Sequence, residues 1–141
     1  MLSASVILAL LLVLAVLAAQ SALAAASLGR AARALEGRDA ATAAAHLATA
    51  QGWGAAGPNY QRYAARLALL EGRPDDAVTA LESAYRLQPN SLLIADELVT
   101  AYLAAGRLDD AAPLLRRAGL DPDTAEKRAN TALAAGDGAE A

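Results

Sequence analysis

The sequence predicts an all-α protein in which an N-terminal transmembrane helix continues directly into a short solenoid of helical hairpins. Two observations lead to this prediction. The segment from Leu2 to Leu28 contains no charged side chain and is long enough to cross a bilayer as a helix. The rest of the chain repeats a glycine-centred motif at a spacing of 34 residues, which is typical of stacked helical units.

Composition favours thin layers of helices over a wide globular core. Of the 141 residues 56% are hydrophobic, yet the chain has no Phe and one Trp. Alanine supplies much of this apolar content, and alanine is the strongest helix former. The net charge of −3 argues against the basic patch that nucleic-acid binding needs. The lack of cysteine excludes disulfides and cysteine-ligated zinc.

The apolar segment is interpreted as a retained membrane anchor over residues 1–28. Its centre, Val6 to Leu17, is unbroken aliphatic, and the first charges after it are Arg30, Arg33 and Arg38. No Lys or Arg precedes the segment, so the positive-inside rule places the C-terminal domain in the cytoplasm. The sequence therefore predicts a single-pass membrane protein.

The competing interpretation is a cleaved secretory signal. Ala22-Leu23-Ala24 has the small-x-small form of a cleavage site, and Val6–Ala19 has the length of a signal's apolar region. Against it, Met1–Ser5 carries none of the basic residues with which such signals begin. Cleavage after Ala24 would export the remaining domain, for example to a periplasm, so localisation depends on this choice.

The repeat is clearest around two glycines. The stretch from Glu71 to Ala77 recurs from Ala105 to Ala111, which sets Gly72 and Gly106 34 residues apart. A weaker copy around Gly37 lies 35 residues before Gly72. Each glycine is predicted to end a helix in the left-handed conformation. The aspartates that follow each glycine are predicted to cap the next helix and to complement its dipole.

Small and large residues follow each turn glycine in one order. The three copies read Gly37, Ala43, Leu47, Ala50, with one residue inserted; Gly72, Ala77, Leu81, Ala84, Pro89; and Gly106, Ala111, Leu115, Ala118, Pro122. On these residues the chain resembles the tetratricopeptide repeat family over residues 26–136, as a short membrane-anchored member. The resemblance implies a solenoid of paired helices that cross closely at the small residues.

The predicted organisation follows from the anchor and the repeats. The anchor covers 1–28, the repeats cover 29–57, 58–91 and 92–122, a capping helix covers 123–136, and 137–141 form a disordered tail. The predicted helices are Ser3–Glu36, Asp39–Gln51, Asn59–Glu71, Pro74–Leu87, Ser91–Ala105, Leu108–Ala118 and Asp123–Ala135.

The resemblance also implies a binding groove, because the first helix of each pair lines a concave surface in this family. The positions that match are Asn59, Arg62, Arg66, Leu69, Leu93, Asp96, Thr100, Leu103, Asp123, Glu126 and Asn130. Arg62 and Arg66 lie four residues apart on one helix face, where together they would bind a partner carboxylate. The alternative for this pair is an ordinary solvated face.

A second predicted site is the membrane interface, formed by Arg30, Arg33, Trp53 and Tyr60. The first helix would rise ~12 Å above the bilayer, and the second would return by a similar distance. That brings the loop with the two aromatic residues to the interface, which Trp and Tyr favour. The alternative is that Trp53 packs over the end of the first helix pair.

No residue pattern indicates an enzyme or a cofactor. His46, the one histidine, has no partner at ligand spacing, and the paired aspartates beside the turn glycines are typical of helix starts. The resemblance instead implies protein binding, and with the anchor it predicts a membrane-tethered interaction scaffold, an adaptor or accessory subunit of a membrane complex. The Ala-, Arg-, Asp- and Leu-rich composition favours a bacterial-type complex. Its expected partners are proteins and the lipid bilayer, without nucleic acid. The alternative is an exported binding or assembly factor.

Overall fold

Six α-helices follow one another along residues 4–117, the part of the chain that the computed structural model describes. They are α1 (Ala4–Glu36), α2 (Ala40–Gly52), α3 (Pro58–Leu70), α4 (Pro74–Leu87), α5 (Leu92–Ala104) and α6 (Leu108–Arg117). This range contains no strand. The predicted all-α fold, a long apolar N-terminal helix followed by helical hairpins, is confirmed.

The helix bounds agree with the predicted ones to within one residue wherever the structure describes them. The predicted capping helix 123–136 and tail 137–141 lie outside the described residues, as do the predicted positions Ala118 and Pro122. The chain divides into two compact units, with the boundary between Ala56 and Gly57.

The first unit is one hairpin, in which the C-terminal part of α1 packs against α2. The buried residues of α1 recur at spacings of three and four, as on one helix face, and those of α2 do the same. They are Ala24, Ser27, Ala31 and Leu35 in α1, and Ala43, Leu47 and Ala50 in α2. Every residue from Ala4 to Leu23 is exposed. Pairing with α2 therefore starts inside the predicted anchor.

The second unit packs two hairpins, α3–α4 and α5–α6, around one apolar core. Helix α4 contacts both α3 and α5 and so joins the hairpins. The core is formed by Ala65, Ala68, Ala77, Val78, Leu81, Ala84, Ile94, Leu98, Val99, Ala101, Tyr102, Ala111 and Leu115. Six of these are alanines that let helices approach closely, and the leucines, valines and Ile94 fill the remaining space.

The turns inside the two hairpins of the second unit have the same backbone hydrogen bonds. The Gly72 N–H donates to Leu69 O at 3.1 Å, and the next N–H donates to Ala68 O at 2.8 Å. Around Gly106 the equivalent distances are again 3.1 and 2.8 Å. This is the Schellman arrangement, which needs a left-handed residue after the helix. The φ angles of the two glycines, 69° and 70°, satisfy that need.

In the first hairpin the left-handed residue is Arg38, and the prediction that Gly37 has this role is wrong. Arg38 has φ 56°, and its N–H donates to Leu35 O at 3.1 Å. The next N–H, of Asp39, donates to Ala34 O at 2.9 Å, which completes the same arrangement.

Counted from Arg38, the three turn residues are each 34 positions apart, and the inserted residue disappears. Ala43, Leu47 and Ala50 then follow Arg38 at the intervals that the second repeat shows after Gly72. The sequence prediction aligned the glycines, whereas the fold aligns the left-handed residue.

The predicted aspartate caps are only partly correct. The Asp39 carboxylate caps α2 by accepting from the Thr42 N–H at 3.0 Å, and hydrogen bonds from Thr42 lower the pKa of Asp39. Helix α4 follows Arg73, which makes no side-chain cap. Asp75 and Asp76 lie in the first turn of α4 instead, where their charge complements the helix dipole.

Replacing Arg38 by glycine should stabilise the first hairpin by about 1 kcal/mol, because a left-handed conformation costs an L-residue roughly that much. The measurement is denaturant unfolding of the full chain in mild detergent, followed by circular dichroism. Gly72→Ala is the matched control and should cost a similar amount. A Cβ at Gly72 would meet no atom within 4 Å, so the cost is conformational. A destabilised Arg38→Gly chain would contradict the assigned turn.

Candidate protein-binding groove

The first helices of the two hairpins in the second unit, α3 and α5, are tied together by one ion pair. Arg62 on α3 donates from Nε and Nη2 to the two carboxylate oxygens of Glu97 on α5, at 2.6 and 2.7 Å. The two side chains are 14% and 20% exposed. A bidentate, charge-assisted contact with little access to water is strong for its type. It holds together the two helices on which the groove is predicted.

The contact favours the charged form of Arg62. The hydrogen bond to Glu97 raises the pKa of Arg62 further above its ordinary value, against the opposing effect of partial burial. The guanidinium therefore stays charged at neutral pH. The contact is an ion pair that links neighbouring repeats.

The structure corrects the prediction that Arg62 and Arg66 together bind one partner carboxylate. The Arg62 guanidinium already binds the Glu97 carboxylate within the fold. Arg66 is half-buried and makes no ion pair with a carboxylate among residues 4–117. Sequence reasoning missed Glu97 because it lies one position after the predicted groove residue Asp96. Glu97 follows Arg62 by 35 residues, which is close to one repeat length. This spacing is the feature of the sequence that could have indicated the pair.

The other predicted groove residues divide by exposure. Asn59, Leu93, Asp96 and Thr100 are exposed, whereas Leu69 and Leu103 are half-buried and pack against the core. The Thr100 hydroxyl donates to the Asp96 carbonyl at 3.0 Å, so it lies along its own helix. Asp123, Glu126 and Asn130 lie outside the described residues. These positions remain predicted groove residues.

Tyr102 anchors α5 to α4 inside the second unit. Its hydroxyl donates to Glu82 Oε1 at 2.9 Å, and the Arg107 guanidinium lies 5.0 Å from the ring centroid. Burial, and then the hydrogen bond to Glu82, raise the pKa of Tyr102 to about 12. The phenol therefore stays protonated and remains a hydrogen-bond donor at neutral pH. This network has a structural role, since it joins α4, α5 and the turn before α6.

The predicted interface residues of the first unit lie on α1 and just after α2. Arg30 and Arg33 are exposed, and the Arg33 Nε donates to Gly29 O at 3.2 Å. Trp53 follows α2 directly and is 42% exposed. Because α2 runs back along α1 from Glu36, its end is level with the start of the paired part of α1. In the second unit, Tyr60 is half-buried on α3.

Two further features bear on function. α1 is the one helix within residues 4–117 that is long and apolar enough to cross a membrane, a description that a signal sequence also meets. In the same range no three His, Asp or Glu side chains group closely enough to hold a metal ion. His46 is half-buried on α2.

A double-mutant cycle on Arg62→Ala and Glu97→Ala should give a coupling energy of about 1 to 2 kcal/mol, because the pair is bidentate and shielded. The measurement is denaturant unfolding of the full chain. The exposed pair Arg73–Asp76, with side chains 52% and 60% exposed, is the matched control. That cycle should give about 0.5 kcal/mol or less. Equal coupling energies in the two cycles would show that the Arg62–Glu97 pair stabilises the fold no more than an exposed ion pair does.

Comparison with known proteins agrees with this geometry. Residues 68–136 match the model of the tetratricopeptide repeat family. The described part of that range holds the end of α3 and all of α4, α5 and α6. No curated protein and no solved structure matches the chain. Over residues 68–136 the chain is therefore similar to the tetratricopeptide repeat family.

Proposed function

We propose that the protein is a membrane-tethered interaction scaffold, which acts as an adaptor or accessory subunit of a membrane protein complex. The observation that carries this proposal is the contrast within α1. Its residues up to Leu23 are all exposed, and the large aliphatic ones from Val6 to Leu17 are between 48% and 70% exposed. From Ala24 onward one face of the same helix is paired with α2. A continuous apolar surface of this kind is typical of membrane or partner contact.

The dimensions of the exposed segment support a single crossing. Its length, about 20 residues, gives a helix of about 30 Å, which equals the thickness of the hydrocarbon core. The hairpin begins directly after this segment, so it would stand on the bilayer surface. Trp53 would then lie level with Leu23 at the interface, where an indole ring is favoured. Arg30 and Arg33 would lie farther along α1, on the side of the hairpin.

The flanking charges support one orientation. Three arginines, Arg30, Arg33 and Arg38, follow the exposed segment within 15 residues of Leu23. By the positive-inside rule, the paired part of α1, helix α2 and the second unit would then lie in the cytoplasm. Protection of the C-terminus from protease in sealed vesicles would read this orientation directly.

An exported binding or assembly factor is the second candidate, and one observation favours it. The small-x-small sequence Ala22-Leu23-Ala24 lies directly before the paired part of α1. Cleavage after Ala24 would leave Ser27, Ala31 and Leu35 in contact with α2, so the hairpin keeps most of its core. N-terminal sequencing of the mature chain separates the candidates. Met1 supports the tether, and Ala25 supports export.

The repeat region supplies the interaction part of the proposal. A stack this short is close to the minimum that helical repeats need for independent stability. A permanent partner at the face of α3 and α5 would add the missing burial. We therefore propose that Asn59, Arg66, Leu93, Asp96 and Thr100 contact a protein partner, and that Arg62 supports them from within the fold through Glu97.

Photo-crosslinking in the cell's own membranes tests both parts of the proposal. A crosslinking residue at Thr100 should capture one discrete protein, and the chain should stay in the membrane pellet after alkaline carbonate extraction. Thr79 on α4 is the matched control, because it is also exposed and its hydroxyl also donates to the carbonyl four residues earlier at 3.0 Å. Equal adducts at both positions, or none, would refute the groove. Release by carbonate would refute the tether.

A further inference from the structure

The second unit has two chemically different ends. Its helices α3 to α6 are joined by short connections and alternate in direction, so the turns 71–73 and 105–107 lie at one end. The start of α3, the connection 88–91 and the end of α6 lie at the other, which is termed the loop end. The two ends differ in both apolar exposure and charge.

The loop end exposes three leucines. Leu87, the last residue of α4, is 58% exposed, while Leu92 and Leu93, the first two residues of α5, are 82% and 55% exposed. The connection between them, Gln88 to Ser91, carries no charge. Leucines at such exposure in adjoining helix ends form a local apolar surface that water does not favour.

The same end is purely basic over the described residues. Arg86 at the end of α4, and Arg116 and Arg117 at the end of α6, are all exposed. None of them forms an ion pair with a carboxylate of residues 4–117. Neither 83–95 nor 111–117 contains an Asp or Glu. No carboxylate of these segments neutralises this charge, although Arg86 also lines a cavity with Glu82 and Asp110.

Leu92 and Arg117 lie next to each other at the loop end, where both line one cavity. The Arg117 Nη1 donates to the Tyr85 hydroxyl at 2.8 Å, which joins the end of α6 to the end of α4. A cavity of about 200 Å³ lies between them, and its lining includes Leu92 and Arg117. The surface formed by Arg86, Leu87, Leu92, Leu93, Arg116 and Arg117 is termed the loop-end surface.

The turn end has the opposite character. It carries five carboxylates, those of Glu71, Asp75, Asp76, Asp109 and Asp110. Its two arginines are already paired, Arg73 with Glu71 and Asp76, and Arg107 with Asp110. Its one exposed leucine, Leu108, stands next to Asp109 and Asp110. An anionic surface would repel this end and attract the other.

We propose that the loop-end surface docks onto the anionic lipid surface of the bilayer that holds α1. The leucines would enter the boundary between headgroups and acyl chains, and the arginines would bind lipid phosphates. This inference rests on the proposed tether, which raises the effective concentration of the surface at the bilayer, so that a weak contact is enough. Docked in this way, α3 to α6 stand upright on the membrane, and the face of α3 and α5 stays open to a protein partner.

The test uses the full chain on vesicles, and the absence of native cysteine allows a single labelled site. An environment-sensitive fluorophore at Asn90→Cys reports the loop end, and Asp75→Cys reports the turn end. On vesicles of phosphatidylcholine and phosphatidylglycerol, lipid-borne quenchers should quench the label at position 90 and leave that at 75 unchanged. Substituting Arg86, Arg116 and Arg117 by Gln should lower the ratio of docked to undocked chains by about two orders of magnitude.

Each outcome decides the proposal. Quenching at position 90 that requires phosphatidylglycerol and the arginines supports it. No quenching, or quenching that is equal on neutral vesicles, overturns it. A label that is shielded from water but not reached by lipid quenchers also overturns it, because a protein or residues 118–141 then cover the surface. Flotation on vesicles of pure phosphatidylcholine tests the tether separately. If the chain floats with the vesicles but its label is not quenched, α1 is inserted and the loop-end surface is not docked.

Discussion

The close approach of alanine-faced helices is the contact on which the rest of the structure depends. Ala43 and Ala50 in the first hairpin, and Ala77 and Ala84 in the second, have no exposed surface. In each pair the intervening leucine, Leu47 or Leu81, fills the space that the alanines leave. A larger side chain at any of these alanines would separate the helices. Because α4 contacts both α3 and α5, its alanines also affect how closely the two helices joined by the Arg62–Glu97 pair approach each other.

This packing explains why polar contacts matter so much in a chain that is largely apolar. Alanine buries little surface, so each layer contributes less hydrophobic stabilisation than a core of large side chains would. The Arg62–Glu97 pair and the Tyr102–Glu82 hydrogen bond then carry a larger share of the cohesion between repeats. The same thin core leaves leucines and arginines exposed at one end of the second unit. Lipid and protein surfaces are suited to supply the burial that these hairpins lack.

Sequence reasoning predicted the fold well because the repeat is encoded locally. The order of Ala, Leu and Ala after each turn fixes both the helix pairing and the helix bounds. It failed at Arg38, since glycine is the usual left-handed residue and Gly37 stands directly before it. It also failed at the second and third turns, where the aspartates lie inside the helix rather than at its cap. Arg62 looked available because its partner, Glu97, lies in another repeat. Contacts between repeats depend on the angle at which helices of neighbouring repeats cross. The sequence of a single repeat does not determine that angle.

Overpacking the alanine contacts tests the account most directly. Ala43→Leu and Ala77→Leu should each lower the free energy of unfolding of the full chain by about 1 to 3 kcal/mol, because both alanines are fully buried at the helix crossings. Ala48→Leu and Ala104→Leu, at exposed positions of the same two units, should change it by less than about 0.5 kcal/mol. If the buried and exposed substitutions have the same effect, the helices do not cross at these alanines, and the repeat assignment is wrong.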